Sequence, residues 1–288
     1  MRIPAGLEAS LVLLRHGEST AIVEGRFQGR LDTPLSPLGE RQARLAGERL
    51  AAPGRPPRIP VPAGAPVEIR HSPLGRTTAT AQAAAAALGR VHGAGGQPTP
   101  RPDPGLLELA QGDWEGLHRT EVYDRYGTEL EAWRLRPTES VAPGGESVRD
   151  AAARITVTLE ETLDALSRSK PGSGPDGHSS GGYPEVHGRN TPWTLLVGHD
   201  GIFKVALLTI LGLPLDRFWT FPWGLTGLSV VEFVDGRPIL RAHNLTDHLG
   251  PLQAESGTAD GGAVEGAAIP AEIRSEDEAA ERERTGSL

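Results

Sequence analysis

The chain has 288 residues, 38% of them hydrophobic and 23% charged, enough for one sizeable core and too apolar for wholesale disorder. It holds no cysteine, which excludes a disulfide framework, a cysteine nucleophile and any thiolate metal site. The formal net charge of −8 divides unevenly: from Pro251 onward nine acids face three arginines, and the near-neutral body carries no nucleic-acid footprint.

No apolar run approaches the roughly 18 residues of a membrane span. Leu11 to Leu14 is only four residues long and ends at Arg15, a strand rather than a signal peptide, so a cytoplasmic protein without membrane contact is expected. That short continuous run predicts a strand buried on both faces, as in a parallel sheet. Ser36-Pro37 offers an N-cap followed by proline at the first helical position, with Leu38, Leu45, Ala46 and Leu50 on one helical face. Val67 to His71 predicts a second strand. Ser72-Pro73 repeats the cap-plus-proline start, and an alanine-rich helix runs to about Leu88, where Gly89 ends it.

His92 to Pro104 is a Gly/Pro-rich loop, and Leu106 to Leu109 is a third apolar segment. Helical pieces are expected at Thr120–Tyr126 and Glu129–Arg134. A longer helix over Glu146–Arg168 has Val148, Ala152, Ile155, Leu159 and Leu163 at helical spacing. Residues 171–192 hold six Gly, four Pro and three Ser, the composition of a flexible insertion. Thr194–Val197 predicts a buried strand and Ile202–Leu211 an apolar helix. Leu228–Val234 and Arg237–Ala242 predict a hairpin closed by Asp235-Gly236. Residues 251–288, without core-forming residues from Ala254 onward, read as a disordered acidic tail beyond a catalytic domain of residues 1–250.

Strands alternating with helices predict an α/β protein: a three-layer α/β/α sandwich with a mostly parallel central sheet. In such sheets ligands collect outside the carboxyl ends of the strands. Those ends carry Arg15-His16-Gly17-Glu18, His71-Ser72-Pro73-Leu74-Gly75-Arg76 and Gly198-His199-Asp200-Gly201, and the third apolar segment adds Glu108. Two guanidinium forks suit an oxyanion with several equatorial oxygens, and phosphate is the natural candidate. An unprotonated histidine beside them is a competent nucleophile on phosphorus; a second histidine, if protonated, adds a positive donor. A carboxylic acid fits as proton donor to a leaving alkoxide, provided its pKa is raised, as a bound phosphate dianion would raise it. The set contains no cysteine and no carboxylate-rich metal cage, so the expected chemistry is metal-free and cofactor-free, through a covalent phosphohistidine.

Each residue alone has a plainer reading. His16 fits a hydrogen-bonded strand-end histidine, Arg76 a solvated charge in a first helical turn, His199 an ordinary loop residue, and Glu108 a salt-bridge partner. Four coincidences from four distant segments at one sheet edge favour the joint reading.

Leu13-Leu14-Arg15-His16-Gly17-Glu18-Ser19 resembles the signature of the histidine phosphatase superfamily, whose fold is phosphoglycerate-mutase-like. Arg26-Phe27-Gln28-Gly29 with Asp32 and Pro34-Leu35-Ser36 resembles the loop before its first helix. Ser72–Thr77 resembles its second arginine motif, Leu107-Glu108 with Gly112–Gly116 its acid motif, and Val197–Gly201 its second histidine motif. Gly144-Gly145-Glu146-Ser147 and Asn244–Leu249 are weaker echoes. The resemblance implies that His16 is the phosphorylated nucleophile and that Arg15, Arg76 and His199 hold the phosphoryl oxygens. Glu108 would protonate the leaving oxygen and then activate water, and Gln28 and Gly29 would contact substrate or phosphate.

Two positions depart from the pattern. Ile22 stands where the family often has asparagine. Asp200 stands where glycine is common, and in the acid-phosphatase branch an aspartate directly after the second histidine is the proton donor. Asp200, placed here among the substrate contacts, is therefore a rival to Glu108. The absence of that branch's further arginine and proline from Arg15–Ser19, together with the Gly-Asp-Trp-Glu-Gly context, favours Glu108. The compact stretch from Trp114 to Pro143, with Arg134 and Arg136 near its end, points to a phosphatase acting on a small-molecule phosphate monoester. The alternatives are a cofactor-dependent phosphoglycerate mutase and an inert phospho-ligand-binding module of the same fold. Specificity is expected from residues 120–147 and 219–226, where Trp133, Trp219, Phe221 and Trp223 fit either an apolar leaving-group pocket or simple core.

Overall fold

The computed structural model describes residues 1–93, 99–169 and 191–256. In chain order the elements are β1 (Ala9–Arg15), α1 (Thr20–Val23), α2 (Pro37–Ala51), β2 (Glu68–His71), α3 (Gly75–His92), β3 (Arg101–Pro102), α4 (Arg119–Leu135), α5 (Val148–Arg168), β4 (Trp193–Gly198), α6 (Asp200–Ile210), β5 (Leu228–Val234), β6 (Arg237–Leu245) and α7 (Gly250–Ser256). The six strands form one sheet in the order β3-β2-β4-β1-β5-β6. The first four are mutually parallel, and β5 and β6 add the expected hairpin antiparallel beside β1.

The side-chain period of two explains the layers. In β1, Leu11 and Leu13 face a core shared with Ile155, Leu159 and Leu163 of α5 and Phe203 and Leu207 of α6. Val12 and Leu14 face the opposite core with Ala46 and Leu50 of α2 and Ala81, Ala84 and Leu88 of α3. The fold is the expected three-layer sandwich, and every β1 residue before Arg15 is buried, as a strand covered on both faces requires. Trp114, Val122 and Leu130 form a smaller cluster beneath α4.

Ser36 caps α2 through the Gly39 amide with Pro37 in the first turn, as expected, but Leu38 is 38% exposed. The inward face is made instead by Ala43, Ala46, Gly47 and Leu50. Helix α3 starts at Gly75 with Leu74 as an N-cap that makes no side-chain bond. Ser72 lies two residues before that N-cap, with its amide donating to the Val197 carbonyl and its hydroxyl meeting His199. The helix also runs through Gly89 and ends at Gly93, which takes the positive φ of +79°.

Leu106–Leu109 is not a strand. The sheet edge is Arg101–Pro102, a 3-10 turn follows at Pro104–Leu106, and Glu108 arrives on irregular chain. The two expected helical pieces are both present within α4 and meet at a kink at Tyr126 (φ −135°). The insertion expected at 171–192 lies almost wholly outside the described residues, as does the tail from 257. The tail boundary at 251 is corrected: Gly250–Ser256 forms α7, and Arg41 of α2 pairs with Glu255.

Candidate active site

His16 follows directly from the end of β1 and is 3% exposed. Its amide donates to the Gly198 carbonyl at 3.0 Å, prolonging the β1–β4 ladder, and its carbonyl accepts from Thr226 at 3.2 Å. The backbone is therefore held from both sides. Its Nδ1 lies 2.6 Å from the Gly17 carbonyl, which can only accept, so Nδ1 carries the proton and Nε2 the lone pair.

His199 caps α6 and is fully buried, with Nε2 2.8 Å from Ser72 Oγ. The two imidazoles meet edge to face with centroids 5.0 Å apart. Burial, reinforced by the Arg76 and Arg15 cations, holds the pKa of His16 well below the ordinary histidine value. Burial, then Arg76 and His16, does the same to His199. Both shifts favour the neutral rings, so burial works against the protonated form in which His199 would add a positive donor.

Arg76 projects from the first turn of α3 and is 1% exposed, which removes its reading as a solvated charge. Its Nη1 donates to the Leu31 carbonyl at 2.8 Å and its Nη2 to the Gly29 carbonyl at 2.9 Å. Burial lowers its pKa to about 10, opposed by Glu108 and Asp32, so it stays charged at neutral pH. Arg15 Nη1 donates to the Trp223 carbonyl. Arg15 Nε, Arg76 Nε and His199 Nδ1 are buried without a hydrogen-bond partner among the described residues, three atoms able to serve an oxyanion.

Gly29 turns its carbonyl to this cluster. It sits at φ +48°, and a Cβ there would lie 2.3 Å from Glu115 Oε1, which accepts from the Arg30 and Gln111 amides. Gly29 thus lets the 28–31 loop close against 111–115 and hold Arg76. The Oε1 of Gln28 accepts from the Ser19 and Thr33 hydroxyls at 2.8 and 3.0 Å, which fixes its carboxamide with the NH2 group on the other side.

Glu108 reaches the start of α6. Its Oε1 accepts from the Leu109 and Ile202 amides, each at 2.9 Å, and its Oε2 from the Gly201 amide at 3.0 Å. Gly201 allows this approach, since a Cβ there would lie 2.7 Å from Glu108 Oε1. Asp200 is turned to Lys204: its Oδ2 is 2.6 Å from Nζ, and that ammonium lies 4.8 Å from the Trp219 ring centre and 5.5 Å from that of Phe218. Trp223 is core, packed on Phe203 and bonded to the Gly227 carbonyl, whereas Trp133, Trp219 and Phe221 are partly exposed.

Five residues around this site were not singled out from the sequence for these roles. Ser72 orients His199, and Thr226 holds His16. Arg30, Glu146 and Arg154 surround the peptide of Glu108. Ser72 carried a signal in the Ser72–Thr77 motif and Glu146 in the Gly144–Ser147 echo; all five act through contacts distant in the chain. Among the described residues no group of three His, Asp or Glu side chains is arranged to hold a metal, and no helix is long and apolar enough to cross a membrane.

The chain matches the family model for the histidine phosphatase superfamily (branch 1) over residues 11–170 and 183–246. It is 27% identical to phosphoserine phosphatase 1 of Hydrogenobacter thermophilus, over 85% of this chain and 97% of that protein. It is 31% identical to a probable phosphoglycerate mutase GpmB of Yersinia enterocolitica, over 70% of this chain and 74% of that one. Among solved structures it superposes on mycobacterial glucosyl-3-phosphoglycerate phosphatase in complex with VO3 with a TM-score of 0.63 and 29% identity, covering 82% of this chain and 98% of that one.

Proposed function

The chain belongs to branch 1 of the histidine phosphatase superfamily, and from that premise we propose that it hydrolyses a small-molecule phosphate monoester, without metal, through a phosphohistidine on His16. In this reading it is a phosphoric monoester hydrolase in which Arg15, Arg76 and His199 hold the phosphoryl oxygens. The Nε2 lone pair of His16 attacks phosphorus, and the N–P bond forms as the bond to the leaving oxygen breaks. That oxygen takes a proton from the Glu108 carboxylic acid. Water then attacks phosphorus and gives its proton to the Glu108 carboxylate; the N–P bond breaks, inorganic phosphate leaves and His16 is restored.

The observation that carries this reading is the state of His16. It is buried, its Nδ1 faces the Gly17 carbonyl so that Nε2 keeps the lone pair, and burial followed by the Arg76 and Arg15 cations, the same groups placed to hold an oxyanion, lowers its pKa. Glu108 is preferred over Asp200 as the donor on the Gly-Asp-Trp-Glu-Gly context that follows it; the Oδ2 of Asp200 is held by Lys204. Asp200, Gln28 and the partly exposed Trp219 and Phe221 are assigned to the substrate side. The catalytic unit of this reading extends through α7, and a cytoplasmic location belongs to it.

The test is phosphate release from para-nitrophenyl phosphate, O-phosphoserine, glucosyl-3-phosphoglycerate and 3-phosphoglycerate in excess EDTA, for wild type and His16→Ala. EDTA-resistant hydrolysis that disappears in the variant is expected. Hydrolysis that survives His16→Ala, or that EDTA abolishes, overturns the mechanism. Interconversion of 3-phosphoglycerate in place of hydrolysis would make the protein a mutase.

A further inference from the structure

We propose that Glu146 is a positioning residue for the proton donor, acting through Arg30 and Arg154 on the peptide of Glu108; this rests on the reading of Glu108 as the acid. Glu146 lies at the turn before α5, and its side chain is 13% exposed. Its Oε1 accepts from Arg154 Nε at 2.7 Å and lies 3.0 Å from Arg30 Nη2, and its Oε2 accepts from Arg154 Nη2 at 2.8 Å. The two guanidiniums so held converge on one acceptor: Arg30 Nε donates to the Glu108 carbonyl at 3.1 Å and Arg154 Nη2 at 3.2 Å. Arg154 Nη1 also donates to the Gly105 carbonyl at 2.8 Å, and the Glu146 amide to the Ala110 carbonyl at 2.8 Å.

Two cations meeting at one carbonyl repel each other, and the carboxylate between them offsets that repulsion. Glu108 has no strand or helix to place it, since it follows a 3-10 turn on irregular chain. Its carboxyl is held by the amides of Leu109, Gly201 and Ile202 at one end and its peptide by the Arg30–Glu146–Arg154 clamp at the other. Loss of the charge on Glu146 frees the peptide end and lets the carboxyl drift from the leaving oxygen.

A misplaced acid has a signature that a general loss of folding lacks. An alkyl leaving group needs the proton, and a para-nitrophenolate leaving group does not. The experiment measures kcat/KM for para-nitrophenyl phosphate and a primary alkyl phosphate in wild type, Glu146→Gln, Glu108→Gln and the double variant. Glu146→Gln is expected to lower the alkyl rate about 10- to 100-fold and the aryl rate less than about threefold. It should add nothing further in the Glu108→Gln background. Arg154→Lys, which keeps the charge and loses the fork, is expected to show the same asymmetry and serves if Glu146→Gln does not fold.

Equal losses on both substrates, or full additivity with Glu108→Gln, overturn the positioning role while leaving the acid in place. A Glu108→Gln enzyme that treats both substrates alike overturns the acid assignment and this inference with it.

Discussion

The two halves of the site are built differently. The nucleophile half stands on the sheet: His16 continues the β1–β4 ladder, and His199 begins α6 one residue after β4. The acid half stands on no regular element: Glu108 is fastened by amides of its own loop and of α6, and by side chains from 28–31 and α5. Ladder hydrogen bonds repeat along a strand and share their load, whereas a clamp of individual side chains depends on each member. The nucleophile half should therefore be lost only by removing its own chemistry, and the acid half should be open to change from a distance.

The largest expected effect is His16→Ala, which removes the attacking nitrogen and should lower kcat by about 10^4-fold or more while the fold, followed by circular dichroism, persists. A smaller loss would mean that another group attacks. Arg76→Met follows, with about 10²–10³-fold expected in kcat for loss of an oxyanion donor, read in the same phosphate-release assay. It should also loosen the 29–31 loop, whose two carbonyls Arg76 holds.

The next effect is on stability against pH. Burial lowers the pKa of His248, which meets Thr226 Oγ1 at 3.0 Å, from 6.5 to about 4. The unfolded chain takes up protons below 6.5 before the folded chain does, so stability is complete above that pH and falls as pH drops toward 4. His248 accounts for up to about 3 kcal/mol of that loss. Urea midpoints at pH 7.5, 5.5 and 4.5 should fall in that order, and His248→Gln should flatten the decline. An unchanged slope would place the titration elsewhere.

Gly201→Ala sharpens the contrast between the halves. It puts a Cβ 2.7 Å from Glu108 Oε1 without touching His16, and should cost about 1–3 kcal/mol with a fall in alkyl phosphate turnover. Wild-type turnover in this variant would mean that the α6 amides do not hold the acid in place. The smallest effect belongs to Arg41→Ala, which cuts the exposed pair with Glu255 and should cost about 0.2–1 kcal/mol by denaturant titration with no change in kcat.

Legibility in the sequence follows the same division. Leu11–Leu14, Thr194–Val197 and the Asp235-Gly236 hairpin were readable because their apolar runs and turn residues are local signals. Arg15, His16, Arg76 and His199 were readable because each lies within a few residues of a strand end. Leu38 and Gly89 misled because exposure and helix termination are decided by neighbouring elements: α2 turns its alanines, not Leu38, inward, and α3 continues past Gly89 to a glycine that adopts positive φ.

By itself the sequence determined the layers, the strand ends and the residue types delivered there, since hydrophobic period and strand-end position are properties of contiguous chain. Tertiary structure alone decided the protonation and the aim. Burial beside Arg76 lowers the pKa of both histidines, the carbonyls of residues 29 and 31 hold Arg76, and the amides of α6 with Arg30 and Arg154 hold Glu108. These are desolvation and pairwise contacts between segments remote in the chain, and only the folded chain brings them together.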